Sequence, residues 1–373
     1  MNLKTRIMKE ENYSRVAVKI GSNVLARKDG TLDITRMSAL VDQIAELHRQ
    51  GIEVIMITSG AVASGRSELK HLAGKKMDEV SARQLFSAVG QAKLINRYYE
   101  LFRDHGIVCG QILTTKENFS TRQHYLNQKH CTEVMLENGV IPIVNENDTI
   151  SITELMFTDN DELSGLIASM MGAQALIILS NIDGVYDGNP SLPESKVITD
   201  IYHDASLDTD SFIQTKKSSL GRGGMGSKYR ISHKVSEEGI DVIIANGRRD
   251  NILLEIASGK RQVPYTMFHA NTESVSSVKK WIAHSEGFAK GRIFVNEGAQ
   301  EVLMSDNASS LLAVGVTQIE GEFDKDDIVQ VVAPSGEAFA VGRVAVDSGK
   351  AREMIGKKGE RPLIHYDYLY ITE

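Results

Sequence analysis

Arg15-Val16-Ala17-Val18-Lys19-Ile20-Gly21-Ser22-Asn23 opens with an apolar, β-rich run, Arg15–Ile20, that carries a lysine next to its end and then breaks into a glycine and small polar residues. Runs of the same kind recur at Ile52–Thr58, Ile107–Leu113, Val140–Val144, Ala175–Leu179 and Asp241–Ala245. Helical patterns lie between them. Leu40, Val41, Ile44 and Leu47 share one helix face and stop at Gly51; Leu85, Val89, Ile95, Tyr98 and Leu101 lie on a second stretch that stops at Gly106. Strands alternating with helices make βαβ units, which predicts a mostly parallel sheet covered on both faces, a three-layer αβα sandwich. In such a sheet the ligand sits beyond the carboxyl ends of the strands.

From about Gly291 the alternation ceases. Strand-like runs at Arg292–Val295, Ile328–Val332, Ala338–Val346 and Leu363–Ile371 are divided by turn signals such as Pro334-Ser335-Gly336, with one short helix near Gln300–Leu303. The expected organisation is an α/β domain over 1–265, a connection over 266–290 that holds the single Trp281, and a small mainly-β domain over 291–373.

Composition narrows the function class. The 373 residues are 42% hydrophobic and 24% charged, as in ordinary globular proteins, and the net charge of −7 gives no general attraction to nucleic acid or an anionic membrane. Met1 to Arg15 lacks the apolar core of a signal peptide, and no apolar run reaches the roughly 18 residues of a membrane helix. Cys109 and Cys131 have neither zinc-site nor disulfide spacing and read as buried thiols, which points to a reduced cytoplasm.

The chemistry gathers at the strand ends. Lys19 before Gly21 and Ser22 sets a cation beside a tight turn whose N–H groups suit an anion. Taken alone, a lysine at a strand end is more often a snorkelling surface residue. The second run ends in Thr58-Ser59-Gly60-Ala61, small residues opening a helix, where phosphate or carboxylate binds readily; capping by Ser59 is the plainer account. Asn145-Glu146-Asn147-Asp148 and Asp159-Asn160-Asp161-Glu162 put more acids and amides at one sheet edge than capping needs. They would hold an ammonium group, a magnesium ion or a lysine. Ser180-Asn181-Ile182-Asp183-Gly184 begins a compact loop fit for a nucleotide base. Gly221 to Lys228 holds a G-x-G-x-x-G, but no strand precedes it, and Ser227-Lys228 inverts the P-loop order. What remains is a flexible glycine-rich loop that delivers Lys228 to a helix start, where a mobile surface loop is the rival account.

As an ordered set these segments resemble the amino acid kinase family over residues 15–265, and within it the branch that phosphorylates glutamate. They are Val18-Lys19-Ile20-Gly21-Ser22, Thr58-Ser59-Gly60-Ala61, Val144 to Asp148, Asp159-Asn160-Asp161, Ile182 to Tyr186, and Gly223-Gly224-Met225 with Lys228. Ala308 to Val316 and Gly321-Glu322-Phe323 resemble a PUA domain, an RNA-associated module. The resemblance implies transfer of phosphate from ATP to the side-chain carboxylate of L-glutamate, the entry to proline synthesis, with magnesium on the phosphates and proline as feedback inhibitor. It implies that Lys19 and Lys228 stabilise the transferred group and that Asp161 orients them. Ser59, Asp148 and Asn160 would bind glutamate. Lys19, Ser180, Asn181 and the loop of Arg222, Gly223, Gly224, Met225, Gly226, Ser227 and Lys228 would bind ATP, and Gly21, Ser22 and Gly60 would line the phosphates. No side-chain metal site is expected. A homodimer or tetramer is implied as well.

Three positions depart from the family pattern. Ser180-Asn181 stands where Thr-Asp or Ser-Asp is common, Arg222 where a small polar residue is, and Ser227 where threonine is. These bear on nucleotide contacts, not on the reaction class. One rival is a sister kinase acting on acetylglutamate, aspartate, carbamate or UMP. The other is an RNA-binding protein acting through the C-terminal region, where Ile355-Gly356-Lys357-Lys358-Gly359 superficially resembles a KH loop. Residues 288–366 carry nine Lys and Arg against twelve Asp and Glu, with no obvious aromatic platform, so a regulatory or assembly role is favoured there.

Overall fold

The computed structural model describes residues 13–27, 29–72, 76–150, 157, 159–190, 192–202, 224–271, 277–305 and 309–372. The chain divides into two compact units, one of residues up to Lys116 with Asn127–Ser274, the other of Glu117–Leu126 with the chain from Val275 onward.

The first unit is built on strands β1 (Arg15–Ile20), β2 (Glu53–Ile57), β3 (Cys109–Thr114), β4 (Ile141–Glu146), β5 (Ala175–Ser180), β6 (Asp200–Ile201), β7 (Asp241–Asn246) and β8 (Thr266–Phe268). They form one sheet in the order β3-β4-β2-β1-β5-β7-β8-β6. From β3 to β7 every pairing is parallel, whereas β8 runs antiparallel to β7. β8 thus lies within the stretch read from the sequence as a connection. The helices are α1 (Ser22–Leu25), α2 (Ile34–Arg49), α3 (Ala61–Glu68), α4 (Glu79–Asp104), α5 (Arg122–Glu137), α6 (Asn160–Met171), α7 (Met225–Glu237) and α8 (Ile252–Ser258). The first residues of α5 group with the second unit.

Central strands are apolar throughout because helices cover both faces. Val16, Ala17, Val18 and Ile20 of β1 are all buried, as are Leu40, Val41, Ile44 and Leu47 of α2. α4 departs from the periodicity reading. Its buried face is Ser87, Gly90, Gln91, Leu94, Tyr98 and Phe102, while Leu85 is exposed. The reason is close backbone approach: a Cβ on Gly90 would stand 1.8 Å from the Ala61 carbonyl oxygen, and one on Gly65 1.8 Å from that of Phe86. Glycine at both places lets α3 lie directly on α4.

The sheet grows in both directions from β1, through β2, β4 and β3 on one side and through β5 and β7 on the other. That switch opens a crevice beyond the carboxyl ends of β1, β2 and β5.

The second unit has its own sheet, β10-β9-β11-β12-β13, of β9 (Gly291–Val295), β10 (Val316–Gly321), β11 (Ile328–Val332), β12 (Ala338–Arg343) and β13 (Leu369–Ile371). Helices α9 (Ser277–Ala283), α10 (Glu297–Met304) and α11 (Ser348–Met354) accompany it. Its core gathers Ile293, Leu311, Val329, Val331, Ala340 and Leu363. Two readings change here. The run expected as a strand over Leu363–Ile371 is strand only from Leu369, and α11, capped by Asp347 accepting from Lys350 N at 2.9 Å, escaped the turn-rich pattern around it. An aromatic group is also present: the Arg343 guanidinium stands 3.7 Å from the Tyr368 ring centre, and the His365 ring lies 4.3 Å from Tyr366.

The thiols differ from expectation as well. Cys131 is exposed on α5, and Cys109 is only partly buried, its thiol pushed up to about 11 by that burial. Among the described residues no helix is long and apolar enough to cross a membrane.

Candidate active site

A cavity of about 690 Å³ opens at the carboxyl ends of β1, β2, β4 and β5. Lys19, Gly21, Ser22, Ser59, Gly60, Asp148, Asn160, Asp161, Ser180 and Lys228 line it together, although the chain spreads them over most of the first unit. Asn181, Gly224, Met225, Gly226 and Ser227 are not among its lining residues. Arg222 and Gly223 lie outside the described residues.

Lys19 belongs to a central strand and is buried there, which a lone ammonium group would not tolerate. Asp161 compensates it. Its Oδ1 lies 2.5 Å from Lys19 Nζ, and its Oδ2 accepts from Lys228 Nζ at 2.9 Å. The Asp161 carboxylate is 1% exposed. Burial works against its charge, but the two ammonium groups outweigh that and hold its carboxyl below the usual carboxylate range. One carboxylate between two cations leaves this trio with a net positive charge, the arrangement needed where negative charge develops on a transferring group.

Asp161 is placed by Asp159, the N-cap of α6, whose Oδ1 accepts from Asp161 N at 2.9 Å and Glu162 N at 3.0 Å. The other oxygen of Asp159 accepts from the Ser227 hydroxyl, so the starts of α6 and α7 are joined next to Lys228. Ser227 therefore acts through Asp159 and not by lining the cavity.

Asn160 joins the start of α6 to the ends of β2 and β4. Its Nδ2 donates to Thr58 O at 2.8 Å, to Ser59 Oγ at 3.1 Å and to Asn145 Oδ1 at 3.0 Å. Asn145 in turn donates to Gln91 Oε1 of α4 at 2.8 Å. Ser59 is consequently not the cap of α3; that position is Gly60, at φ +102°, a conformation open to glycine. Gly21, which lines the cavity, also fastens the turn to the sheet. Its N–H donates to Leu179 O at 3.0 Å, so this group is committed to β5, and a Cβ would crowd the same oxygen at 3.0 Å.

Arg83 of α4 was not singled out from the sequence, where it is one charge in a helical stretch. Its Nε donates to Asp148 Oδ1 at 2.8 Å, its Nη2 donates to the same oxygen, and Nη2 also lies 3.3 Å from Glu146 Oε2. Burial pushes the Asp148 carboxyl up, and Arg83 opposes that rise without cancelling it. Beyond β5, Asp183 accepts two bonds of 2.7 Å from Arg249 and one of 3.0 Å from Asn246 at the end of β7, which fixes the Ser180–Gly184 loop to the sheet. Arg249 draws the Asp183 carboxyl below the usual range. Sequence offered a hint for neither arginine, because their partners are distant along the chain.

The chain is similar to known proteins along most of its length. The sequence pattern of the amino acid kinase family matches residues 14–246, and that of the PUA domain matches residues 291–365. A protein named Glutamate 5-kinase in Bacteroides thetaiotaomicron is 66% identical over 364 residues, covering 98% of this chain and 100% of its own. Another of that name in Chlorobaculum tepidum is 45% identical over 365 residues, covering 96% of this chain and 98% of its own. Among solved structures, a carbamate kinase from Giardia lamblia bound to AMP-PNP superposes with a TM-score of 0.52 at 17% identity, covering 69% of this chain and 99% of its own. That last likeness is one of fold alone.

Proposed function

This chain belongs to the amino acid kinase family, and we propose that it transfers the γ-phosphoryl group of ATP to the side-chain carboxylate of L-glutamate, giving ADP and L-glutamyl 5-phosphate. The observation that carries the reading is Asp161 holding Lys19 and Lys228 side by side at the strand ends. Near-full-length identity to proteins named Glutamate 5-kinase selects the acceptor.

The chemistry suits such a site. The free glutamate side chain has a pKa of about 4.3 and is ionised at neutral pH, so the reaction needs no general base. Its difficulty is bringing one anion up to another. Positioning and positive charge answer that, as in phosphoryl transfer generally. Lys19 and Lys228 flank the transferred group, and Asp161 sets the distance between them. Ser59, Asn160 and Asp148 hold glutamate toward β2 and β4, while Ser180, Asn181 and the segment 222–228, whose last four residues begin α7, take the nucleotide.

Magnesium belongs to this reading as the counter-ion of the ATP phosphates, whose charge it neutralises. The nearby carboxylates suit an ion held chiefly by phosphate: Asp161 bridges two lysines and Asp159 caps α6.

The reading extends to residues 1–265 as the catalytic region, to a cytoplasmic setting where ATP and glutamate meet, to inhibition by proline and to a homodimer or tetramer. These rest on the family resemblance. The C-terminal unit is assigned a regulatory or assembly role, supported by its excess of acidic residues.

The test is incubation with ATP, magnesium and glutamate in the presence of hydroxylamine, which traps an acyl phosphate as its hydroxamate. Hydroxamate should form only with all three. Equal or better turnover of acetylglutamate, aspartate, carbamate or UMP would overturn the assignment of the acceptor.

A further inference from the structure

Asp148 lies at the end of β4, two strands from β1, and therefore on the order of 10 Å across the sheet from Lys19. That distance leaves room for an amino acid whose side-chain carboxylate meets the lysines while its α-carbon lies near Asp148. The Arg83 guanidinium donates to Asp148 Oδ1 with both Nε and Nη2 and reaches Glu146 with the same Nη2. Gln84, the next residue on α4, donates to Thr149 O at 2.8 Å and fixes the backbone just beyond Asp148. The helix thus holds both the carboxylate and the turn that carries it.

We propose that Arg83 is a positioning residue for acceptor recognition: it holds the Asp148 carboxylate as the receptor for a free α-ammonium group, so that the site selects α-amino acids with an unblocked amine. The inference rests on the reading of Asp148 as a contact for glutamate. Arg83 acts through Asp148 and takes no part in phosphoryl transfer.

The charge balance supports this. A buried carboxylate drifts toward its neutral form, and a neutral carboxyl is a poor partner for an ammonium group. Arg83 favours the ionised form of Asp148. The other ionisable groups lining the cavity are Glu79 on α4, Arg66 on α3, Glu146 on β4, and the Lys19–Asp161–Lys228 group with Asp159.

Steady-state kinetics of the full-length chain tests the proposal, with Arg83→Ala, Arg83→Lys, Asp148→Asn and the double variant Arg83→Ala/Asp148→Asn. Arg83→Ala should raise KM for glutamate by about tenfold to a hundredfold, the loss expected of a hydrogen bond to a charged group. KM for ATP should stay within about twofold, and the lysine variant should recover most of the loss. The defect of Arg83→Ala should shrink as pH rises, because a carboxyl raised by burial regains its charge with increasing pH. The preference for glutamate over N-acetylglutamate should fall in Arg83→Ala, and the double variant should be no worse than Asp148→Asn alone. A KM for glutamate that does not move, an equal rise for both substrates, a defect independent of pH, or additive losses in the double variant would each overturn the proposal. Failure of the glutamate assignment appears in the wild-type chain, as no product from glutamate. Failure of the Arg83 inference appears only in the variants, measured on whichever acceptor the wild-type chain uses.

Discussion

Lys228 Nζ donates to Asp161 Oδ2 at 2.9 Å, and through that one carboxylate α7 is tied to the start of α6 and to Lys19 of β1. Each lysine is buried only because Asp161 is there. Replacement of either lysine should leave the fold in place, since Asp161 keeps one partner, but should lower kcat by about a hundredfold to a thousandfold, the usual loss for one donor facing developing charge. Hydroxamate formation by Lys19→Ala and Lys228→Ala checks this; full activity in both would refute the assigned roles.

Asp161→Asn has the opposite profile. It leaves two buried ammonium groups without a counter-charge, and breaking a buried ion pair in this way costs about 3–5 kcal/mol. Urea unfolding of the variant should show a midpoint well below that of either lysine variant. An unchanged midpoint would mean that the lysines find water or another anion.

Gly90→Ala should be damaging although it adds one methyl group. The new Cβ would meet the Ala61 carbonyl at 1.8 Å, and backbone cannot give way as a side chain can. Overpacking of this kind costs about 1–3 kcal/mol. Because Ala61 and Gly60 line the cavity, activity should fall along with the melting temperature. Gly106→Ala, at a surface turn with open space around it, is the contrasting case: it should cost only the strain of φ +70° and leave KM values unchanged.

Acid stability should depend on Asp200. Burial works to raise its carboxyl, but Arg261 and His269, bonded to it at 2.7 Å, bring it down to about 2. A depressed carboxylate stabilises the fold above its unfolded value near 4, and that contribution is lost as pH falls toward 2. The pair is partly exposed, so Arg261→Ala should cost about 1 kcal/mol at pH 7. The gap from wild type in denaturant unfolding should close between pH 4 and pH 2. A gap that is constant with pH would show that packing and not charge is lost.

The two thiols should separate in rate. Cys131 is exposed, while burial lifts the Cys109 thiol to about 11 and reduces its thiolate. A colorimetric disulfide reagent should modify one equivalent quickly in the native protein and the second only in denaturant; Cys131→Ser should abolish the fast phase.

Much of this protein was written locally. The run Arg15–Ile20 became a strand with the same bounds because unbroken apolar sequence between turn residues fits a strand covered on both faces. The α2 stripe was buried as its spacing required. The strand-end polar clusters were legible too, since glycines and small polar residues after apolar runs mark the ends where ligands bind. The face of α4 was only partly legible: Tyr98 is buried and Ile95 and Leu101 pack against the core, whereas Leu85 is exposed. The helix's burial is decided by glycines that admit another backbone, and hydrophobic periodicity carries no signal for that contact. β8 was not legible, because its three residues are too few for a period and its direction depends on pairing with β7.

The same division runs through the candidate site. Sequence alone determined that Lys19, Ser59, Asp148, Asp161, Ser180 and Lys228 would stand at strand ends or helix starts, because each follows from local turn and strand chemistry. Only the tertiary structure decided their partners: Lys19 and Lys228 on one carboxylate, Asn160 on the ends of β2 and β4, and Arg83 on Asp148. A strand end is specified by its neighbours in the chain. A buried charge is specified by whichever distant group the fold brings within a few ångströms to compensate it, and periodicity does not encode that choice.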